Sequence, residues 1–218
     1  MINVYIYCEG LTEESFINQV LYPYFISRGI SVIPIICTTK RKNGKKFKGG
    51  VSNFNKVKDE LKKLCKQHRN EFVTTMFDYY GMPTNTPGIS NNKVDVQSRV
   101  KGIEQAINDE IAQSNCKFHL MLHEFESILF TSPEAFRAIA NDEIVGKIKE
   151  IRDSFATPEE INNSRETAPS KRLQQLIPGY TKILDGTTVA REIGIESMMR
   201  ECPHFGKWIR DIIEWTGA

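Results

Sequence analysis

The chain has 218 residues, 40% of them hydrophobic and 26% charged, which fits one globular domain, or one with a smaller appendage, able to bury its own core. A net charge of only +2 excludes nucleic-acid binding through overall basicity, so any such contact must come from a local patch. The cysteines, Cys8, Cys37, Cys65, Cys116 and Cys202, are odd in number, widely spaced and without a CxxC pair. This argues against a disulfide framework or a zinc ribbon and for a reducing, cytoplasmic setting.

The first residues, Met-Ile-Asn-Val-Tyr-Ile-Tyr-Cys-Glu, carry no basic run ahead of a long apolar stretch, unlike a signal peptide. No segment approaches the roughly 20 apolar residues that span a bilayer, so no membrane association is expected.

Residues 2–8 are short, apolar and β-rich and stop at Glu9-Gly10, which predicts a buried strand. Thr12 offers an N-cap, and Glu13 and Glu14 follow where acids suit a helix dipole. Phe16, Val20, Leu21 and Tyr24 extend a helix over 12–27, with Pro23 expected to kink or end it. A second strand is predicted over 31–38, at an edge or with a bulge because of Pro34. Residues 39–50 read as a loop, and 51–68 as a helix through Phe54, Val57, Leu61 and Leu64. A third strand covers 71–77. A long loop over 78–92, with two Gly and two Pro, is of a kind often functional. A helix over 96–112, a fourth strand over 118–122 and a helix starting at 124–130 complete an alternating pattern.

Strands alternating with helices imply parallel crossovers and a three-layer α/β fold with a mostly parallel sheet of about four strands. Beyond residue 131 only helical signals occur, among them Thr157-Pro-Glu-Glu160, a cap followed by proline and acids. The expected division is an α/β domain over 1–131 and a helical extension over 132–218 packed on it.

Ligands in open α/β sheets bind outside the carboxyl ends of the strands. Glu9 ends the first strand, Asp78 the third, and Glu124 and Glu126 follow the fourth. Glu13, four residues after Glu9, can face the same place. Clustered carboxylates repel unless a cation neutralises them, and all-oxygen ligands suit Mg2+ or Mn2+. Each acid also has a plainer reading as a helix cap or solvated turn; three strand ends carrying acids together favour a site. Glu124 and Glu126, two residues apart, cannot share one helical face.

Several motifs in order carry a family resemblance: Glu9-Gly-Leu-Thr-Glu13, Gly49-Gly-Val51, Thr74-Thr-Met-Phe-Asp-Tyr-Tyr-Gly-Met-Pro83, Leu122-His-Glu-Phe-Glu-Ser127, Ala168-Pro-Ser-Lys-Arg-Leu173 and Cys202-Pro-His-Phe205. The first resembles the opening motif of TOPRIM-type domains, especially those of OLD nucleases. The whole series resembles a TOPRIM-like bacterial family catalogued as a domain of unknown function and often encoded beside an ATPase. The resemblance implies a TOPRIM-like fold and a magnesium-dependent nuclease site for phosphodiester chemistry, in a phage or mobile-element defence setting. It also implies catalytic or metal-binding roles for Glu9, Glu13 and Asp78. Nucleic acid and a neighbouring ATPase are the implied partners, and a homo-oligomer is compatible with it. Asp78-Tyr79-Tyr80 departs from the Asp-x-Asp pattern, and Glu124 or Glu126 can supply the missing carboxylate. A non-catalytic module that regulates or scaffolds an ATPase is the alternative.

Lys40, Arg41, Lys42, Lys45, Lys46 and Lys48 place six basic residues within nine, either a phosphate-contacting loop or a solvated one. Lys171 resembles a basic residue that stabilises a transition-state phosphate, and Arg172 a nucleic-acid contact; a helix-surface pair is the plainer reading. Tyr79 and Tyr80 can stack on a base or line a rim, and His123 can act as an acid or base or simply pack. His68, His119 and His204 form no recognisable zinc pattern with the cysteines.

Overall fold

The computed structural model describes residues 1–42, 45–48, 51, 53–90, 95–162 and 166–217, with the side chains of 38–42 and 45–48 outside that description. The strands are β1 (Ile2–Cys8), β2 (Ile30–Ile36), β3 (Thr38–Lys42), β4 (Lys45–Lys48), β5 (Phe72–Asp78), β6 (Cys116–Lys117) and β7 (Leu120–Met121). The α-helices are α1 (Leu11–Phe16), α2 (Tyr22–Ile26), α3 (Phe54–Gln67), α4 (Val96–Ile111), α5 (Asp142–Asp153), α6 (Pro169–Leu176), α7 (Thr187–Ile193), α8 (Ile195–Glu201) and α9 (Pro203–Thr216).

The main sheet is parallel throughout and ordered β2-β1-β5-β6, with β7 continuing alongside β5. β1 alternates between two cores. Val4, Ile6 and Cys8 pack with α1 and the carboxyl-terminal helices, whereas Tyr7 packs with α3 and α4. The result is three layers, helix–sheet–helix, as the alternating pattern implies. Among the described residues no strand follows β7, and Leu173, Val189, Phe205, Ile209 and Ile212 share the core of Val4 and Ile6.

The helical run over 11–26 is continuous, but its middle, Ile17–Leu21, is a π-helix. Pro23 has no N–H to give to an α-type ladder, and the wider turn directly before it absorbs the misfit. Pro34 does lie on the edge strand β2.

Two expectations are corrected. Residues 39–50 do not form a plain loop: β3 and β4 pair as an antiparallel ribbon, and the intervening Asn43-Gly44 is a strong hairpin signal in the sequence. The single strand expected over 118–122 is two short pieces, β6 and β7. Between them Thr75 Oγ1 accepts the His119 N–H and donates to the His119 carbonyl, both at 2.8 Å. A side chain thus replaces main-chain ladder bonds, while the register against β5 stays unbroken. The Gly49-Gly50 pair lies outside the described residues.

All five cysteines are buried, and none of them forms a disulfide among the described residues. Among the described residues no helix is long and apolar enough to cross a membrane.

Candidate functional site

Parallel pairing puts the carboxyl ends of β1, β5 and β7 side by side. Glu9, Asp78 and Glu124 emerge there. They line a cavity of about 710 Å3 together with Tyr80, Gly81, Ala168, Lys171 and Lys182.

Glu9 accepts a hydrogen bond from the Asp78 N–H, yet burial and then the nearby charge of Glu13 push its carboxyl up to about 7. Asp78 is driven well above the usual carboxylate range by burial and by the charges of Glu13, Glu9 and Glu126. Its Oδ1 accepts the Phe125 N–H at 2.9 Å. Glu13 is 7% exposed. Its Oε2 accepts the Gly10 N–H at 2.8 Å, and burial is the main reason its carboxyl is raised. Glu13 therefore caps its own helix and also bears on the other two acids, so the two sequence readings are not exclusive.

Glu124 Oε2 accepts the Ser170 N–H at 3.0 Å, tying the end of β7 to the start of α6. Glu126 is fully buried, and its Oε1 lies 2.9 Å from Lys182 Nζ. Burial, followed by an opposing pull from Lys182, sets Glu126 above its ordinary value. Burial opposes the charge on Lys182, but Glu126 first, and then Glu124 and Asp78, outweigh it and raise the ammonium above its ordinary value. Glu9, Glu13, Asp78, Glu124 and Glu126 thus share one electrostatic neighbourhood, with Lys182 as the cation common to them.

Gly81 approaches Glu9 so closely that an added Cβ would lie 2.8 Å from Oε2. Tyr80, 46% exposed, lines the cavity, stacks on Tyr79 at 5.9 Å and packs at a tilt against His123 at 5.2 Å. His123 is buried, holds a left-handed φ of 64°, and is pushed down to about 4 by burial. It is a packed neutral ring, not a side chain lining the cavity.

Lys171 is exposed, lines the cavity and reaches Gln174 Oε1 at 3.4 Å. Arg172 points elsewhere: its Nε donates to the Thr167 carbonyl at 2.7 Å, and it lines a separate groove with Phe155 and Glu150. The side chains of Lys40, Arg41, Lys42, Lys45, Lys46 and Lys48 lie outside the described residues; their backbone forms the β3–β4 ribbon, which leads on from the carboxyl end of β2.

A second polar cluster was not legible as a motif. Glu104 on α4, His119 between β6 and β7, and His204 on α9 bring ligand atoms within 4.8 Å of one another, a group that could hold a metal ion. Glu104 Oε1 lies 3.4 Å from His119 Nδ1 and 3.1 Å from His204 Nε2, and it also accepts the Leu120 N–H at 2.8 Å. Burial opposes the charge on Glu104, but hydrogen bonds from the two imidazoles hold it down at about 2. Burial lowers His119 to about 4, and Trp208 stacks on its ring at 4.5 Å.

The family profile described as "Domain of unknown function (DUF4276)" matches residues 8–213. The chain belongs to the DUF4276 family. No curated protein and no solved structure matches it. In this DUF4276 chain the matched region spans all the acids of the cavity and the Glu104–His119–His204 cluster. Lys182 and the Glu104 cluster escaped sequence reasoning. Lys182 is a solitary lysine in Tyr180-Thr-Lys-Ile-Leu-Asp185 with no motif around it, and the cluster joins residues up to 100 positions apart. Gly81 had a readable signal, as the glycine of Asp78-Tyr-Tyr-Gly81.

Proposed function

We propose that the acidic cavity is a Mg2+- or Mn2+-dependent site for hydrolysing nucleic-acid phosphodiesters. The observation that carries this reading is a charge imbalance: five carboxylates act on one another, Glu9 and Asp78 pushed upward, with Lys182 as their shared cation. The donor set is all oxygen, which fits a hard divalent ion. Glu9, Asp78 and Glu124 are the ligands nearest the open cavity, with Glu13 and Glu126 behind them. Bound there, the ion would supply a more acidic water and charge compensation for a phosphate oxygen.

The chain's own residues have definable parts. Glu9, at the cavity edge, can hold the ion or take a proton from water. Lys171 at the mouth can meet phosphate charge. Tyr80 offers a half-exposed ring for a base. The TOPRIM-like motif series supports the same reading, as does a parallel sheet with acids at its carboxyl edge. That resemblance also suggests work beside an ATPase in phage or mobile-element defence.

Purified protein is expected to cleave plasmid, linear DNA or RNA with Mg2+ or Mn2+, and Glu9→Ala and Asp78→Ala to abolish cleavage with the circular dichroism unchanged. Cleavage that survives both changes would sink the proposal.

A second reading, a non-catalytic module regulating an ATPase, draws on Tyr80 standing where the Asp-x-Asp pattern has its second aspartate and on the ties of Glu124 to Ser170 and Glu126 to Lys182. Calorimetry separates the two. Absent millimolar metal binding, together with a stable complex with the neighbouring ATPase, favours the module.

A further inference from the structure

The Glu104–His119–His204 cluster lies away from the acidic cavity and lines a different, smaller one of about 110 Å3 with Trp208, Lys101 and Lys117. Three elements distant in sequence meet there: α4, the break between β6 and β7, and the first turn of α9. His119 and His204 are 4% and 7% exposed. Glu104 has no lysine or arginine among its described ion-pair partners; the two imidazoles alone answer it.

Ligands about 2.0–2.2 Å from a tetrahedral ion sit about 3.3–3.5 Å from one another. The two edges from Glu104 Oε1, at 3.4 and 3.1 Å, are of that size. In the hydrogen-bonded form the His204 Nε2 proton has two acceptors, the Leu120 carbonyl at 2.9 Å and Glu104 Oε1 at 3.1 Å, and an ion bound here would replace that proton.

We infer that Glu104, His119 and His204 form a second metal site, for a zinc-class divalent ion rather than magnesium, pinning α9 to the sheet and to α4. Two imidazoles and one carboxylate make a borderline donor set that selects zinc or cobalt over Mg2+. The fourth position faces the small cavity, which has room for water. This site does not depend on the acidic cavity being catalytic.

The test uses the whole chain, stripped with chelator and titrated with Co2+ and then Zn2+. One equivalent of Co2+ is expected to give the visible band of a tetrahedral N/O site, to quench Trp208 fluorescence through the adjacent His119, and to raise Tm; Zn2+ should displace it. Glu9→Ala and Asp78→Ala should bind Co2+ normally, whereas Glu104→Gln and His119→Gln should lose the band. A folded, stripped wild-type protein that takes up neither ion overturns the inference without recourse to any variant. So does uptake that is unchanged in folded Glu104→Gln.

Discussion

Gly81 and the Glu9 carboxylate are in direct packing contact: a Cβ on Gly81 would meet Oε2 at 2.8 Å, Oε1 at 3.1 Å and Cδ at 3.3 Å. The glycine is needed for space at this close approach, since alanine tolerates ordinary backbone angles. Gly81→Ala is expected to turn the Glu9 carboxylate away from Asp78 at little cost in stability, because the atoms it displaces are the end of a flexible side chain. Metal-dependent cleavage should fall at least tenfold while far-ultraviolet circular dichroism is retained. An unchanged rate would show that the Glu9 position is not critical.

Lys182 is the shared cation of the acidic cluster. Lys182→Met should destabilise the metal-free protein, because Glu126 is left buried opposite an apolar group. Breaking a fully buried pair costs about 3–5 kcal/mol. Lys182 is about one-third exposed, so about 1–3 kcal/mol is expected after discounting for solvent screening. Glu126→Gln in the same chain should recover much of the loss, read from a urea double-mutant cycle. Independent, additive effects would mean that the pair does not interact.

Glu9 predicts a pH signature. Its carboxyl rises from 4.5 to about 7 on folding, so the folded state holds the proton more tightly than the unfolded chain. That contribution to stability is full below about pH 4.5 and is lost as pH rises through 7. His119 and His123, both near 4 when folded, act oppositely, losing stability as pH falls below 6.5. The Glu9 effect is isolated by comparison with Glu9→Gln in chelated protein. Wild type should lose ground to the variant between pH 4.5 and 7, and Mg2+ should restore it most above pH 7. A pH-independent difference would contradict the burial argument.

Thr75 bridges β5 to the gap between β6 and β7 with two hydrogen bonds from one hydroxyl. Thr75→Val keeps the shape but leaves the buried His119 N–H without that partner. A loss of about 1–3 kcal/mol is expected from urea unfolding, with Co2+ uptake weakened because His119 is no longer held. Thr74→Val provides a comparison. It removes the acceptor of the Trp208 indole N–H at 3.0 Å without touching His119 directly, and a similar stability loss with stronger Co2+ retention is expected.

Much of this molecule is written in short-range patterns. Val100, Ile103, Ile107 and Ile111 recur at helical spacing and are all buried on α4. Phe54, Val57, Leu61 and Leu64 do the same on α3. The apolar run of β1 ending at Glu9, and acids after three predicted strands, followed from local composition together with the rule that parallel strands present their carboxyl ends to one edge. These features are legible because a helix face, a strand end or a cap depends on neighbours a few residues away. Tertiary packing decided what local patterning cannot encode. It brought Lys182 to Glu126, turned Arg172 toward Phe155 and away from the acids, and let the Thr75 hydroxyl split one expected strand into β6 and β7. It also gathered Glu104, His119 and His204 from elements up to 100 residues apart. Electrostatic pairing and close packing depend on distance in space, and no periodicity along the chain records which solitary lysine or histidine will arrive there.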